Sequence, residues 1–213
     1  TIVSITSHEA AHGFVADRLG DPTAREQGRL TLNPIPHIDL FYTILLPLFL
    51  LLSHTGFIFG GAKPVPVNVS RLRRPRRDWA LVGAAGPVTN LLIAVVLTAL
   101  LWVASLVGLA DPASSLTEIL AVGVFVNVLL AVFNLIPIPP LDGSRVVQYF
   151  LSGTLLGLYR RIERFGLLVI MALVFFVPQL QILIGGAIFG LVSLITAPFG
   201  MSAEVLPLLH GLL

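Results

Sequence analysis

The sequence predicts an all-α polytopic membrane protein, one domain over residues 1–213, with a three-helix core in 1–150 and one or two further membrane segments in 160–213. Three observations predict it. The 213 residues are 56% hydrophobic and 11% charged, with a mean hydropathy of +0.94, whereas soluble domains carry about 25% charged residues. Several uncharged stretches reach the roughly 20 residues that a bilayer-crossing helix needs. The basic residues, 12 Arg and Lys63 among 13, stand in clusters beside those stretches. This composition excludes an ordinary soluble enzyme, a disordered chain and a nucleic-acid-binding module. With no cysteine, a disulfide scaffold, a thiolate metal site and a cysteine nucleophile are excluded as well.

The first element is helical. Ile2, Val3 and Ile5 precede Ser7-His8-Glu9, and the pattern runs to Leu19-Gly20. It lacks the basic head and small-residue cleavage site of a signal peptide, so it reads as part of a first membrane helix that is already under way at Thr1. Ile38–Ser53 is apolar but only about 16 residues long, with Pro47 inside it, which is short for one span and far too short for two. It is expected to dip in and return, as a re-entrant or surface-lying segment whose backbone is shielded by protein. Trp79–Leu109 is the clearest span, uncharged from Ala80 to Ala110, and Leu116–Ile138 is the next. The turn Asp111-Pro112-Ala113-Ser114-Ser115 between them makes an antiparallel hairpin. Phe165–Pro198 is uncharged but broken at Pro178, predicting two elements, Phe165–Val177 and Leu180–Ala197.

Arginine placement sets the sidedness. Arg18, Arg25 and Arg29 follow the first helix; Lys63 and Arg71, Arg73, Arg74, Arg76 and Arg77 precede the second; Arg145, Arg160, Arg161 and Arg164 follow the third. The Ala110–Thr117 turn has none. All clusters share the cytoplasmic side if an even number of crossings separates Arg29 from Lys63. Beside a span, the Arg71–Arg77 run reads as a topology and headgroup determinant and not as a nucleic-acid site.

His8-Glu9-Ala10-Ala11-His12 is an H-E-x-x-H motif. On a helix, residues i and i+4 lie on one face, so both imidazoles reach one Zn²⁺, and the carboxylate beside the first can take a proton from water. The other reading, polar residues touching headgroups, is disfavoured because ionisable groups at membrane depth are costly. A catalytic zinc takes a third protein ligand. Val15 and Arg18 stand where a metzincin has Gly and His. Glu26 lies in a polar loop, Glu118 is expected on the opposite side, and Glu163 sits among arginines. Asp142 fits best: Pro137, Pro139 and Pro140 end the third helix and extend the chain, Gly143 permits a tight turn, and the predicted depth matches that of His8 and His12. His37, His54 and His210 read as loop or interfacial histidines, with His37 nearest to the site.

Together, His8–His12 and Asn134–Gly143 resemble the signatures of the site-2 protease family of intramembrane zinc metalloproteases: H-E-x-x-H and, on a later helix, N-x-x-P-x-P-x-L-D-G. Asn134, Pro137, Pro139, Leu141, Asp142 and Gly143 fill the second in register. Gly86, Pro87 and Asn90 match the family's intermediate G-P-x-x-N pattern, and Gly61–Asn68 resembles its strand after the re-entrant region, a small β element. The resemblance spans Ile2–Arg164; Phe41-Tyr42 depart from it, replacing smaller residues.

It implies one Zn²⁺ per chain on His8, His12 and Asp142, with Glu9 as general base. It also implies Asn90 and Asn134 near the metal, bonding substrate backbone or the oxyanion. From the residues alone, either asparagine serves equally as an interhelical hydrogen bond. The implied substrate is a transmembrane protein in the lipid bilayer of a prokaryotic cytoplasmic membrane, with the site toward the cytoplasm. A regulatory membrane partner is compatible with this; nucleic acid is not. The stretch has no insertion long enough for a PDZ or CBS domain. Two other classes remain open: a non-hydrolytic adaptor with structural zinc, disfavoured by Glu9, and a metal or solute transporter, disfavoured by few spans and no repeat.

Overall fold

A computed structural model describes residues 1–52, 61–111 and 114–209. Ten α-helices run through them: α1 (Ile2–Arg18), α2 (Thr23–Glu26), α3 (Leu46–Leu52), α4 (Pro75–Leu106), α5 (Ser115–Leu135), α6 (Asp142–Phe150), α7 (Gly153–Ile162), α8 (Gly166–Phe176), α9 (Pro178–Thr196) and α10 (Ser202–Leu209). Among the described residues, three helical stretches are long and apolar enough to cross a membrane: Pro75–Leu106, Ser115–Leu135 and Pro178–Phe199. The chain is an integral membrane protein.

The long helix α4 is the spine, packed against α5, α1 and α6. Its start is set locally. Pro75 occupies the first helical position, where a missing N–H costs nothing, and the Asp78 carboxylate accepts the Arg74 N–H at 2.7 Å. The helix therefore begins four residues before the predicted span, inside the arginine run, and ends at Leu106. At the other end of the hairpin, the Ser114 side chain accepts the Thr117 N–H at 3.2 Å and caps α5. Helix α5 stops at Leu135, three residues short of the prediction, because a residue preceding proline is driven out of helical geometry. Pro178 divides α8 from α9 as predicted, by opening α9 at its first position.

Two expectations are not supported over the described residues. The apolar run after Ile38 shows no turn back as far as residue 52, and residues 53–60, where a return would fall, lie outside the described residues. A π-helical turn at Leu40–Leu45 leads straight into α3, so this backbone satisfies its own hydrogen bonds, and Leu48, Phe49, Leu51 and Leu52 project outward. The small β element is also absent: no strand occurs among the described residues. Residues 61–68 form no regular secondary structure, because Pro64 and Pro66 offer no donor and three of the other donors are taken outside any ladder. Lys63 N–H donates to His37 O at 2.8 Å, Val65 N–H to Glu9 Oε2 at 2.9 Å, and Asn68 N–H to Asp21 Oδ2. Pro112-Ala113 of the predicted turn, His54 and His210 lie outside the described residues.

The interior is divided. Leu101, Val124, Val128, Ile188, Val192 and Val205 form an apolar core between α4, α5, α9 and α10. The other half, between α1, α4, α5 and α6, buries Ser4, His8, His12, Asn90, Asn127 and Asp142. Ser114→Ala removes the α5 cap and is expected to cost about 1 kcal/mol of stability, read as a lower midpoint in thermal unfolding of the detergent-solubilised chain.

Candidate metal centre

One helical turn apart on α1, His8 and His12 share a face, with ring centroids 4.7 Å apart and planes nearly perpendicular. Their Nε2 atoms lie 3.0 and 3.2 Å from the same oxygen, Oδ2 of Asp142. All three side chains are buried. Among the described residues this is the one group whose three ligand atoms fall within 4.8 Å of one another. The carboxylate arrives from the far end of the sequence. After α5, the proline-rich stretch 136–141 turns the chain, and α6 opens on Asp142 itself. Gly143 is the second residue of α6 and lies against the carbonyls of Leu135 and Ile136; close packing, not a special turn conformation, requires glycine there.

Hydrogen bonds at the far side of each ring decide what the near side can do. His8 Nδ1 lies 2.6 Å from Asn90 Oδ1, and His12 Nδ1 lies 2.6 Å from the Val82 carbonyl. A carbonyl can only accept, so His12 carries its proton on Nδ1. The Asn90 amide is oriented the same way: its nitrogen donates to Ser4 O at 3.2 Å and to Asn127 Oδ1 at 2.9 Å. Asn127 is pinned in turn by donating to Ser4 Oγ and to Gly123 O. Both imidazoles therefore turn Nε2, the nitrogen left to bond a metal, toward the same carboxylate oxygen. A divalent cation placed among these three atoms would satisfy all of them at once. Two imidazoles and a carboxylate are a zinc donor set, and donors about 2.0–2.1 Å from a tetrahedral zinc sit about 3.3 Å apart, close to the spacings here. The residues fit the metal.

Helix α4 makes room for this meeting. A Cβ on Gly86 would lie 2.5 Å from His8 Nε2 and 2.6 Å from His12 Nε2, and one on Gly83 would lie 2.9 Å from Asp142 O. Small residues one turn apart thus let α1 and α6 close on α4 from two sides.

Glu9, half-buried, faces residues 61–68 and accepts the Val65 N–H. Asn90 departs from the expected substrate contact: it is fully buried, and its carbonyl and amide are both engaged within the protein. Asn127, which matches no motif and reads from sequence as packing, belongs to the same network; an amide in the middle of an otherwise apolar span was the signal for it. Asn134 is not brought to the histidines by any such bond. Its amide donates to Leu130 O one turn back on α5. His37 is buried in the loop before the π-helical turn, bonded to Thr31 O at 3.0 Å, and Glu26 pairs with Arg71 at 2.8 Å.

Residues 103–177 match the sequence profile of Peptidase family M50. The chain is 40% identical over 175 residues to a Bacillus subtilis protein named "Putative zinc metalloprotease YwhC", covering 81% of this chain and 76% of that one. It is 32% identical to each of two proteins named "Putative zinc metalloprotease Rip2". The match to that of Mycolicibacterium smegmatis covers 81% of this chain and 63% of the relative, and the match to that of Mycobacterium tuberculosis 90% and 69%. No solved structure matches the chain.

Two substitutions probe the centre without touching a ligand. Asn90→Leu removes the acceptor that fixes the His8 tautomer and is expected to weaken zinc binding about 10–100-fold, measured by competition with a chromophoric chelator. Gly86→Ala drives a methyl group against both imidazoles and is expected to yield protein with little bound zinc.

Proposed function

The chain belongs to peptidase family M50, the site-2 protease family of zinc metalloproteases, and from that footing we propose that it hydrolyses peptide bonds in or next to the transmembrane segments of other membrane proteins. The observation that carries this reading is the convergence of His8, His12 and Asp142 on one point, with Glu9 adjoining the first ligand on the same helix.

In this reading His8, His12 and Asp142 hold one zinc. When bound, zinc supplies the Lewis acidity that activates water and polarises a scissile carbonyl. Glu9 takes a proton from the attacking water and returns it to the departing amine. The Val65 N–H holds Oε2 of Glu9 and leaves the second oxygen for proton transfer. That bond also ties the base to the 61–68 stretch. Asn90 acts through His8, fixing its proton on Nδ1 so that Nε2 stays a donor to metal. Asn134, half-exposed at the end of α5, is the asparagine left to meet substrate backbone.

A substrate helix has its carbonyls hydrogen-bonded internally, so its scissile segment must unwind before attack. Burial of the three ligands supports a site reached from within the membrane domain. The arginine clusters next to α4 and α6 support a cytoplasmic-side site in a cytoplasmic membrane.

The test uses the full chain in liposomes with a transmembrane reporter. Glu9→Gln is expected to keep its zinc and lose cleavage by about 10²–10⁴-fold. Undiminished cleavage would refute the assigned base. Stripping the metal with a chelator is expected to abolish cleavage, and adding zinc back to restore it. Wild-type protein that binds zinc yet leaves every membrane reporter intact would point to the adaptor reading instead.

A further inference from the structure

A carboxylate ligand has two oxygens, and something must decide how many of them face the metal. The Asp142 Oδ2 atom faces both imidazoles, while Oδ1 turns away and meets Arg145 Nη1 at 3.0 Å, one turn further along α6. The arginine is itself held. Its guanidinium carbon sits 4.5 Å over the Trp79 ring of α4, and its stem lies against Gly83, where a Cβ would come within 2.7 Å of Arg145 Cβ. Trp79 and Gly83 are one turn apart on the helix that also receives the histidines.

We infer that Arg145 is a positioning residue that claims Oδ1 of Asp142, so that the carboxylate offers a single oxygen to the metal and a coordination position stays open for reactants. The inference rests on the proposed metal centre and goes beyond it by naming what orients the third ligand. A freed carboxylate loses the orientation that favours metal binding, and the second oxygen it can then swing toward a five-coordinate zinc closes only a strained four-membered chelate, which does not make up the loss. Lysine does not substitute, since its ammonium lacks the planar fork that bonds a carboxylate edge while lying flat on an indole. The charge of Arg145 works in the opposite direction. A cation this near the site repels zinc, so a purely electrostatic role predicts tighter binding once the charge is removed. Positioning predicts weaker binding.

The experiment compares the wild-type chain, Arg145→Met, Arg145→Lys, Trp79→Ala and Trp79→Phe in detergent. Zinc affinity is read by chelator competition, and the visible d–d absorption of the cobalt-loaded proteins reports coordination number. Arg145→Met is expected to weaken zinc binding about tenfold or more and to lower the cobalt band intensity toward that of a five-coordinate site. Arg145→Lys should behave like it. Trp79→Ala should shift both readouts the same way, and Trp79→Phe, which keeps an aromatic face, should restore them.

Unchanged or tighter zinc binding in Arg145→Met overturns the inference. So does weaker zinc binding with an unaltered cobalt spectrum, which would leave the one-oxygen claim without support. If Arg145→Met fails to fold by circular dichroism, the Trp79 pair decides: identical readouts for Trp79→Ala and Trp79→Phe overturn it. A wild-type chain that binds neither metal overturns the metal centre and this inference with it.

Discussion

Two imidazole nitrogens and one carboxylate oxygen, converging on one point where α1, α4 and α6 meet and buried there, are the constraint around which this molecule is built. His8 Nε2, His12 Nε2 and Asp142 Oδ2 lie within 4.8 Å of one another. A divalent cation among them would satisfy all three at once. The surrounding bonds all maintain that convergence. Asn90 Oδ1 and Val82 O fix the imidazole protons on the far side, and Arg145 occupies the far oxygen of the carboxylate. Remove one of these and a ligand gains freedom to satisfy itself without metal.

Helix α4 ties the chemistry to the fold. Its glycine face accepts α1 and α6 at close range, while its other residues pack with α5, α9 and α10 into an apolar core. The polar half is thereby braced by the apolar half. The two ends of α4 are also distinct. Asp78 fixes its start near the arginine cluster, and Trp79 and Gly83 follow on the first turns, where α6 docks.

Much of this was legible in the sequence. The candidate ligands His8 and His12, with the candidate base Glu9 beside them, follow from residue type and the four-residue helical repeat and could be read directly. Asp142 required an argument about depth and chain reversal, and the prolines supplied it. What could not be read was direction. Asn90 sits where the G-P-x-x-N pattern puts it, but whether its amide faces substrate or a histidine depends on the rotation of α4 against α1, which no local pattern encodes. Asn127 was visible as a polar residue in an apolar span, yet its partners are 37 and 123 residues away. The stretch at 61–68 was expected as a strand from its resemblance to the family's segment. Its prolines lack the donors a ladder needs, and three of the donors that remain bond Glu9, Asp21 and His37. The apolar run after Ile38 was expected to double back because of its length and Pro47; over the described residues it is a π-helical turn that continues into α3, and the stretch where a return would fall lies outside them.

The claim on which the account stands is that His8, His12 and Asp142 together hold one zinc. X-ray absorption at the zinc edge of the purified full chain tests it most directly. The account predicts a first shell of light atoms at about 2.0–2.1 Å that carries the multiple-scattering signature of two imidazoles. A shell with fewer than two imidazoles, or one that is unaltered when both histidines are replaced by alanine, would contradict it.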